Sequence, residues 1–167
     1  EKYNIPGMKV HQQRIPDSDE NLPYAGDSEV VDKESLFDEA SDDYFEETHP
    51  NNWDFSLAAY TGTHDSPTTK EWFDELNKSK YENFLDYSQT LDNKFDNDVW
   101  NFISLVWESN CQLAITTVQD LLKLDYKARF NIPGTSENNW IWRLDNFESL
   151  KGVKDSLNAL NHSTNRN

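Results

Sequence analysis

The sequence contains one cysteine in 167 residues, and no apolar run approaches the roughly 20 residues that a membrane-spanning helix needs. A single cysteine excludes a disulfide within the chain and argues against a cysteine-based zinc site. Its apolar setting, CQLAITTV, predicts that Cys111 is a small buried residue rather than a nucleophile. Because no signal peptide precedes the first predicted element, we expect a cytoplasmic protein.

Basic residues are also scarce. The chain has 15 Lys and Arg against 31 Asp and Glu, which gives a formal net charge of -16. Affinity for a phosphate backbone requires clustered Lys and Arg side chains. We therefore expect no nucleic acid and no anionic membrane among the partners, and the charge itself favours solubility.

Apolar residues are few for an independent domain. They make up 35% of the chain, and the mean hydropathy is -0.91, which is lean for a self-sufficient core. The length fits one domain or a piece of a larger one. Because the first residue is Glu1, we interpret residues 1–167 as a single segment of a longer protein.

Short strands alternate with helices along the chain. Three apolar or β-rich runs with turn or polar flanks predict strands covered on both faces: Gly7–Gln12, Leu57–Gly62 and Gln112–Val118. Helical spacing of apolar residues predicts four helices: Asp32–Glu47, Pro67–Leu76, Asp98–Ser109 and Phe147–Leu160. For the second of these, Ser66 is the expected N-cap and Pro67 the first helical residue. Strands separated by helices favour a parallel sheet, and three of them predict an arc of a barrel whose closed form needs about 250 residues.

No motif in the sequence predicts a metal site. The acidic stretches lack the glycine and glutamate spacing of a calcium-binding loop. The four histidines are too widely scattered to form a pair: His11, His49, His64 and His162. We therefore predict no metal site.

A histidine and an aspartate stand side by side where a predicted strand gives way to a helix. His64 and Asp65 follow the run LAAYTG, in which Gly62 permits a tight turn. Functional groups collect at the carboxyl ends of parallel strands, but an aspartate here is equally consistent with a helix cap. No G-x-S-x-G elbow accompanies the pair, which argues against a catalytic serine. The remaining functional interpretation is a polar pair that hydrogen-bonds to vicinal sugar hydroxyls.

Aromatic residues are abundant and fit a sugar ligand. They make up 13% of the chain and include six tryptophans. Most are expected to lie in the core, but Trp140 and Trp142 in NNWIWRL follow a loop rich in turn-forming residues. Sugar rings stack on aromatic faces of this kind.

Several segments resemble one enzyme family. YTGTHD, then QDLLKLDYKARFNIPGT, then NNWIWRL resemble the C-terminal third of the amylomaltases, which are 4-alpha-glucanotransferases (disproportionating enzymes). IPGMKV resembles the sixth-strand region of the family, so the resemblance runs with gaps from Ile5 to Leu144. It implies an α/β fold that is a partial (β/α)8 TIM-barrel arc, alpha-amylase-like, with strands six to eight and their helices.

The resemblance also implies roles for particular residues. Asp65 matches the third carboxylate of the active site, a transition-state stabiliser that grips the sugar in subsite -1. His64 matches the neighbouring histidine that binds the same sugar. Four residues after the eighth strand match possible supports of the site: Gln119, Asp120, Arg129 and Asn131. The first two are interpreted as structural supports rather than ligands, and the last two as residues that shape the loop.

The catalytic pair of the family is not matched. In the family the nucleophile is an aspartate at the fourth strand and the acid/base a glutamate at the fifth, and both would precede Glu1. A retaining mechanism needs two carboxylates about 5–5.5 Å apart, and Asp65 is neither of them. We therefore expect the chain alone to be inactive. It also departs from the family pattern, with Lys123 and Asp125 in place of glycines and Phe130 in place of a methionine.

The resemblance implies a fragment of a cytoplasmic 4-alpha-glucanotransferase that passes alpha-1,4-glucan segments to the 4-hydroxyl of an acceptor sugar. It implies neither a metal nor an organic cofactor, because carboxylates carry the chemistry. The expected partners of the fragment are an alpha-1,4-glucan or maltooligosaccharide and either the upstream part of the barrel or another copy of the chain. One alternative is a non-catalytic maltooligosaccharide-binding module. Another is a structural or interaction fragment whose open strand edges pair with another chain.

Overall fold

The computed structural model describes residues 6–15, 48–92 and 94–166. Three strands form a parallel sheet in the order β1-β2-β3, with the bounds Met8–Val10, Ala58–Tyr60 and Leu113–Ile115. The α-helices of the described residues are α1 Thr69–Glu75, α2 Lys78–Gln89, α3 Asp98–Glu108, α4 Val118–Leu121 and α5 Lys154–Ser163. Short 3-10 helices cover His11–Gln13, Pro50–Asn52, Tyr126–Ala128 and Phe147–Val153.

All three predicted strands are present and parallel, but each is shorter than predicted. β1 ends at Val10 because the next three residues turn into a 3-10 helix. β3 ends at Ile115, since Thr117 already caps α4 and its hydroxyl accepts from the backbone N–H of Asp120.

The prediction that both faces of every strand are covered is wrong for β3 within the described residues. Leu113 and Ile115 are 47% and 37% exposed. Successive side chains of a strand point to opposite faces, and Ala114 between them packs against the helical core. The face that carries Leu113 is therefore the open one.

The core is built around α3, whose predicted position is confirmed at Asp98–Glu108. The helix is apolar on most sides, so it packs into two clusters at once. The first contains Trp53, Ala59, Val99, Trp100, Ile103, Val106, Trp107, Cys111 and Leu160. The second contains Ile15, Phe84, Tyr87, Leu91, Phe102 and Leu105. Burial raises the pKa of the Cys111 thiol, and its 2% exposure confirms the prediction of a small buried residue.

The helix predicted over Pro67–Leu76 begins two residues later, and its predicted cap is wrong. Thr68 is the N-cap, because its hydroxyl accepts from the backbone N–H of Glu71 while the Glu71 carboxylate accepts from the N–H of Thr68. This reciprocal capping box satisfies two backbone donors. Ser66 instead accepts at 3.0 Å from the backbone N–H of Thr63.

The remaining helices differ from the prediction in two ways: one was not predicted, and another is divided into two helix types. α2 was not predicted, although Asn77 caps it and Phe84, Tyr87 and Leu91 follow with helical spacing. The helix predicted over Phe147–Leu160 is a 3-10 helix as far as Val153 and an α-helix only after it. The helix predicted over Asp32–Glu47 lies outside the described residues. Over the part that is described, no helix combines the length and the apolar character that a membrane crossing requires.

Lys123 occupies a backbone conformation that suits glycine. It follows the C-terminus of α4 with a φ of 55°, the left-handed conformation in which helices commonly end at glycine. A Cβ atom in this region costs roughly 1 kcal/mol. The structure thus gives a physical reason for the glycine that the family resemblance implies at this position.

We expect Lys123→Gly to raise the free energy of unfolding by about 0.5–1 kcal/mol, measured by urea titration of the chain. Asp125→Gly, the other departure from glycine, is the matched control. Asp125 has a φ of -79°, and its carboxylate accepts from the N–H of Lys127 at 3.0 Å. Asp125→Gly removes this hydrogen bond and should therefore lower the free energy of unfolding. If Lys123→Gly and Asp125→Gly both raised it, the explanation from backbone conformation would be wrong.

A fully buried histidine follows β1. The His11 ring packs against the rings of Phe102, Trp53 and Tyr87, with centroid distances of 4.4, 5.7 and 6.3 Å. Among the described residues, neither of its ring nitrogens has a hydrogen-bond partner. Burial, with a smaller contribution from the nearby charge of His49, lowers the pKa of His11 from 6.5 to about 3.

We expect His11 to make the fold sensitive to acid. The unfolded chain binds a proton where native His11 does not, so stability present above pH 6.5 is lost as the pH falls towards about 3. One such proton changes the free energy of unfolding by at most about 1.4 kcal/mol per pH unit. In His11→Leu this free energy, followed by urea titration between about pH 7 and pH 5, should decline less steeply. His162→Gln, at an exposed histidine, is the control, and an unchanged slope in His11→Leu would refute the prediction.

Candidate functional site at the ends of the strands

A pocket of about 340 Å³ opens beyond the carboxyl ends of β2 and β3. Carboxyl ends of parallel strands meet at the same edge of a sheet, so the loops that follow them line one space. Here the lining comes from the loop after β2, from α4 and from the loop that follows it. The lining residues are Gly62, Thr63, His64, Ser66, Pro67, Thr68, Thr117, Val118, Gln119, Asp120, Arg129, Phe130 and Trp140.

The side chains of His64 and Asp65 contact each other in the loop after β2. Nε2 of His64 lies 3.2 Å from Oδ2 of Asp65, and the two side chains are 56% and 50% exposed. His64 lines the pocket, whereas Asp65 lies next to it in the chain and is not part of the lining. Since Thr68 caps the following helix, the alternative in which Asp65 serves as the helix cap is wrong.

Gly62 lies at the base of this loop, where other groups approach it closely. A Cβ atom there would lie 3.2 Å from Cβ of Ser66 and 3.3 Å from Nε2 of Gln12. Gly62 is not among the described residues with a positive φ. The predicted reason for a glycine here, a turn conformation that only glycine adopts easily, is therefore replaced by close packing. Gln12 also donates to the carbonyl oxygen of Pro67 at 3.2 Å, which ties the end of β1 to this loop.

Two of the predicted supports reach Asp65 from the loop that follows α4. Nδ2 of Asn131 donates to Oδ1 of Asp65 at 2.5 Å. Nη2 of Arg129 donates to the backbone carbonyl of Asp65 at 3.4 Å, and its Nε donates to the carbonyl of Asn131 at 3.1 Å. The Asp65 carboxylate is therefore held between His64 on one oxygen and Asn131 on the other.

Glu71, in the first turn of α1, completes this arrangement and was not predicted as a site residue. Its Oε1 lies 3.1 Å from Nη1 of Arg129, and the two side chains are only 10% and 19% exposed. The signal that could have found it is the sequence T-T-K-E, a capping box that fixes a glutamate at the start of a helix beside the predicted site.

The other two predicted supports are engaged with groups of the protein itself. Asp120 is 2% exposed and accepts from the hydroxyl of Thr61 at 2.6 Å and from the backbone N–H of Thr69 at 2.7 Å. Burial raises the pKa of the Asp120 carboxyl, and these hydrogen bonds oppose the rise. Nε2 of Gln119 donates to the carbonyl of Ala128 at 3.3 Å. Asp120 thus joins the end of β2 to the start of α1, and Gln119 joins α4 to the segment that follows it.

Trp140, which the sequence singled out, forms one wall of the pocket. Its ring lies 5.1 Å from that of His64 at an interplanar angle of 36°, and 5.2 Å from that of Phe130. Trp140 is 51% exposed and has a φ of 63°, which is strained for a bulky residue. Trp142 lies near Phe130, with the two ring centroids 6.4 Å apart.

The site presents one accessible carboxylate, one accessible imidazole and an aromatic wall. The carboxylates of Glu71 and Asp120 are buried and bonded within the protein, which leaves Asp65 to accept hydrogen bonds from a ligand. Over residues 6–15, 48–92 and 94–166, no three His, Cys, Asp or Glu side chains cluster so as to hold a metal ion. The arrangement suits hydrogen bonding to hydroxyl groups and stacking against a ring.

Comparison with known proteins identifies sequence relatives. The model of the family described as 4-alpha-glucanotransferase matches residues 1–148. A 4-alpha-glucanotransferase of Synechocystis is 32% identical over 144 residues, which are 86% of this chain and 23% of the relative. That of Clostridium butyricum is 37% identical over 95 residues, or 56% of this chain and 19% of the relative. The chloroplastic/amyloplastic enzyme of Arabidopsis thaliana is 32% identical over 114 residues, or 66% and 19%.

A solved structure matches nearly the whole chain. The amylomaltase from Streptococcus agalactiae in complex with acarbose superposes with a TM-score of 0.72 at 26% identity, over 98% of this chain and 28% of that protein. The chain spans about a fifth of the length of the curated relatives it matches.

Proposed function

This chain belongs to the 4-alpha-glucanotransferase family, and on that basis we propose that it is the part of such an enzyme that binds the sugar substrate. The whole enzyme cleaves an alpha-1,4-glucan and transfers the released segment, with retention, to the 4-hydroxyl of an acceptor sugar. The observation that carries this proposal is the Asp65 carboxylate, held by His64 and Asn131 beside a pocket walled by Trp140.

The sheet is proposed to supply strands six to eight of a (β/α)8 barrel. The parallel order β1-β2-β3 supports this assignment, as does the structural similarity to the Streptococcus agalactiae amylomaltase. The exposed side chains of Met8, Leu113 and Ile115 on one face of the sheet are apolar, and burying them would stabilise an assembly with the remaining strands. Either the upstream part of the barrel or a second copy of the chain could cover this face.

Asp65 and His64 are proposed to bind the sugar in subsite -1 more tightly in the transition state than in the ground state. Two carboxylate oxygens can accept from vicinal hydroxyls, and such bonds strengthen as an oxocarbenium-like transition state forms. The negative charge of Asp65 also favours the positive charge that develops on the sugar ring. The nucleophile and the acid/base are proposed to lie upstream of Glu1, so this chain alone does not turn over.

The proposed ligand is an uncharged maltooligosaccharide. A net charge of -16 would repel anionic substrates but leaves neutral sugars unaffected. The acarbose bound to the similar amylomaltase supports this class of ligand. A cytoplasmic location remains a prediction from the sequence.

The test is a disproportionation assay with maltotriose, in which glucose and longer oligosaccharides are measured. The chain is assayed alone and as a chimaera, joined to the upstream part of the Synechocystis relative, which matches it over 144 residues. We expect no activity from the chain and activity from the chimaera. Activity of the chain alone would refute the proposed absence of the catalytic pair. A folded chimaera that binds acarbose without turnover would favour the non-catalytic binding module.

A further inference from the structure

We infer that Glu71 is a positioning residue for Asp65 and acts through Arg129; the inference rests on the proposed function of the Asp65 site. Glu71 does not face the pocket. Its effect is transmitted by a continuous set of hydrogen bonds that ends on the Asp65 carboxylate.

The first link is the buried pair of Glu71 and Arg129. Oε2 of Glu71 accepts from the backbone N–H of Thr68 at 3.2 Å, which leaves Oε1 for Nη1 of Arg129 at 3.1 Å. With both side chains at least four-fifths buried, water does not replace either partner easily. A buried charge that loses its partner is strongly unfavourable, so this pair fixes the guanidinium.

The second link is the guanidinium itself, which bonds to two loops at once. Nη2 donates to the carbonyl of Asp65 and Nε donates to the carbonyl of Asn131, at 3.4 and 3.1 Å. A guanidinium is planar, so fixing its Nη1 edge also fixes the directions of the other two donors. Arg129 therefore sets the separation between the backbone of Asp65 and that of Asn131.

The third link is the hydrogen bond between those two residues. Nδ2 of Asn131 donates to Oδ1 of Asp65 at 2.5 Å, and His64 contacts the other oxygen at 3.2 Å. When glutamine replaces Glu71, Arg129 loses its charged partner. An alternative partner is the Asp65 carboxylate, which is 50% exposed and belongs to the residue whose backbone carbonyl Arg129 already binds. An ion pair between Arg129 and Asp65 would reorient the Asp65 carboxylate and neutralise its charge.

The experiment compares Glu71→Gln with two controls. Asp74→Asn removes the same charge from an exposed position on the same helix, where the carboxylate pairs with Lys70. Asn77→Ala removes the N-cap of α2, in which Oδ1 of Asn77 accepts from the backbone N–H of Lys80 at 2.8 Å. It controls for a loss of stability that arises away from the site. The first readout is the side-chain amide resonance of Asn131 in the isotopically labelled chain. The second is kcat and KM for maltotriose in the chimaera.

We expect Glu71→Gln to shift the Asn131 amide resonance and to lower kcat by about 10- to 100-fold with little change in KM, as small misplacements of a reacting group do. Both controls should leave the resonance and kcat unchanged. An unshifted resonance in Glu71→Gln, or an equal shift in either control, overturns the inference. If the unsubstituted chimaera is inactive while the resonance still responds to Glu71→Gln, the proposed function fails and the positioning by Glu71 stands.

Discussion

Replacing Asp65 by asparagine in the chimaera should lower kcat for maltotriose by roughly 10²- to 10³-fold without disturbing the fold. The amide has nearly the shape of the carboxylate and keeps one oxygen to accept from Asn131. It loses the negative charge and one of the two acceptors that a distorted sugar would engage. Because the side chain is half-exposed, no buried partner is left unsatisfied, and the melting temperature should change little.

The control is Asp54→Asn, which removes a carboxylate from the loop that precedes β2. Asp54 accepts from the backbone N–H and hydroxyl of Ser56 at the opposite end of the strand from the pocket. It should leave both kcat and KM unchanged. Turnover by Asp65→Asn at the unsubstituted rate would remove Asp65 from the mechanism, and with it the main support for the proposed site.

The fold followed from local patterns wherever one pattern dominated its segment. The run from Val99 to Trp107 is apolar enough that its burial in a helix was predictable, and the three strands were found because each is a short run between turns. Their lengths were not predictable, since competing local hydrogen bonds end β1 and β3. Thr117, the sixth residue of the run QLAITTV, caps α4. In the sequence, a capping threonine cannot be told from any other β-branched residue of a strand.

The candidate site was predictable where its residues are adjacent in the chain. His64 and Asp65 stand together, and their position after a strand was enough to single them out. Their partners Arg129 and Asn131 were singled out only through the family resemblance, because no spacing rule relates two loops so far apart. Glu71 was missed because Ser66 and Pro67 offered an earlier helix start, whereas two reciprocal hydrogen bonds at Thr68 outweigh a favourable proline.

Asp120 should matter most for stability. We expect Asp120→Ala to lower the free energy of unfolding of the chain by about 3 kcal/mol and Asp120→Asn by less than about 1 kcal/mol. Alanine leaves the N–H of Thr69 and the hydroxyl of Thr61 without their buried acceptor. Asparagine can still accept from Thr69 and donate to Thr61, whose hydroxyl then donates to that of Thr116, 3.1 Å away.

Comparing the pH dependence of stability in the unsubstituted chain and in Asp120→Asn separates the effect of the charge of Asp120 from that of its shape. Burial raises the pKa of native Asp120 above its usual value of 3.8, so the native state binds the proton more tightly than the unfolded chain does. The unsubstituted chain should therefore gain stability relative to Asp120→Asn as the pH falls through the raised pKa towards 3.8. Urea titrations at neutral and mildly acidic pH measure this difference. If the difference instead shrinks as the pH falls, the ionised carboxylate is the better-accommodated form, and the hydrogen bonds from Thr61 and Thr69 outweigh its burial.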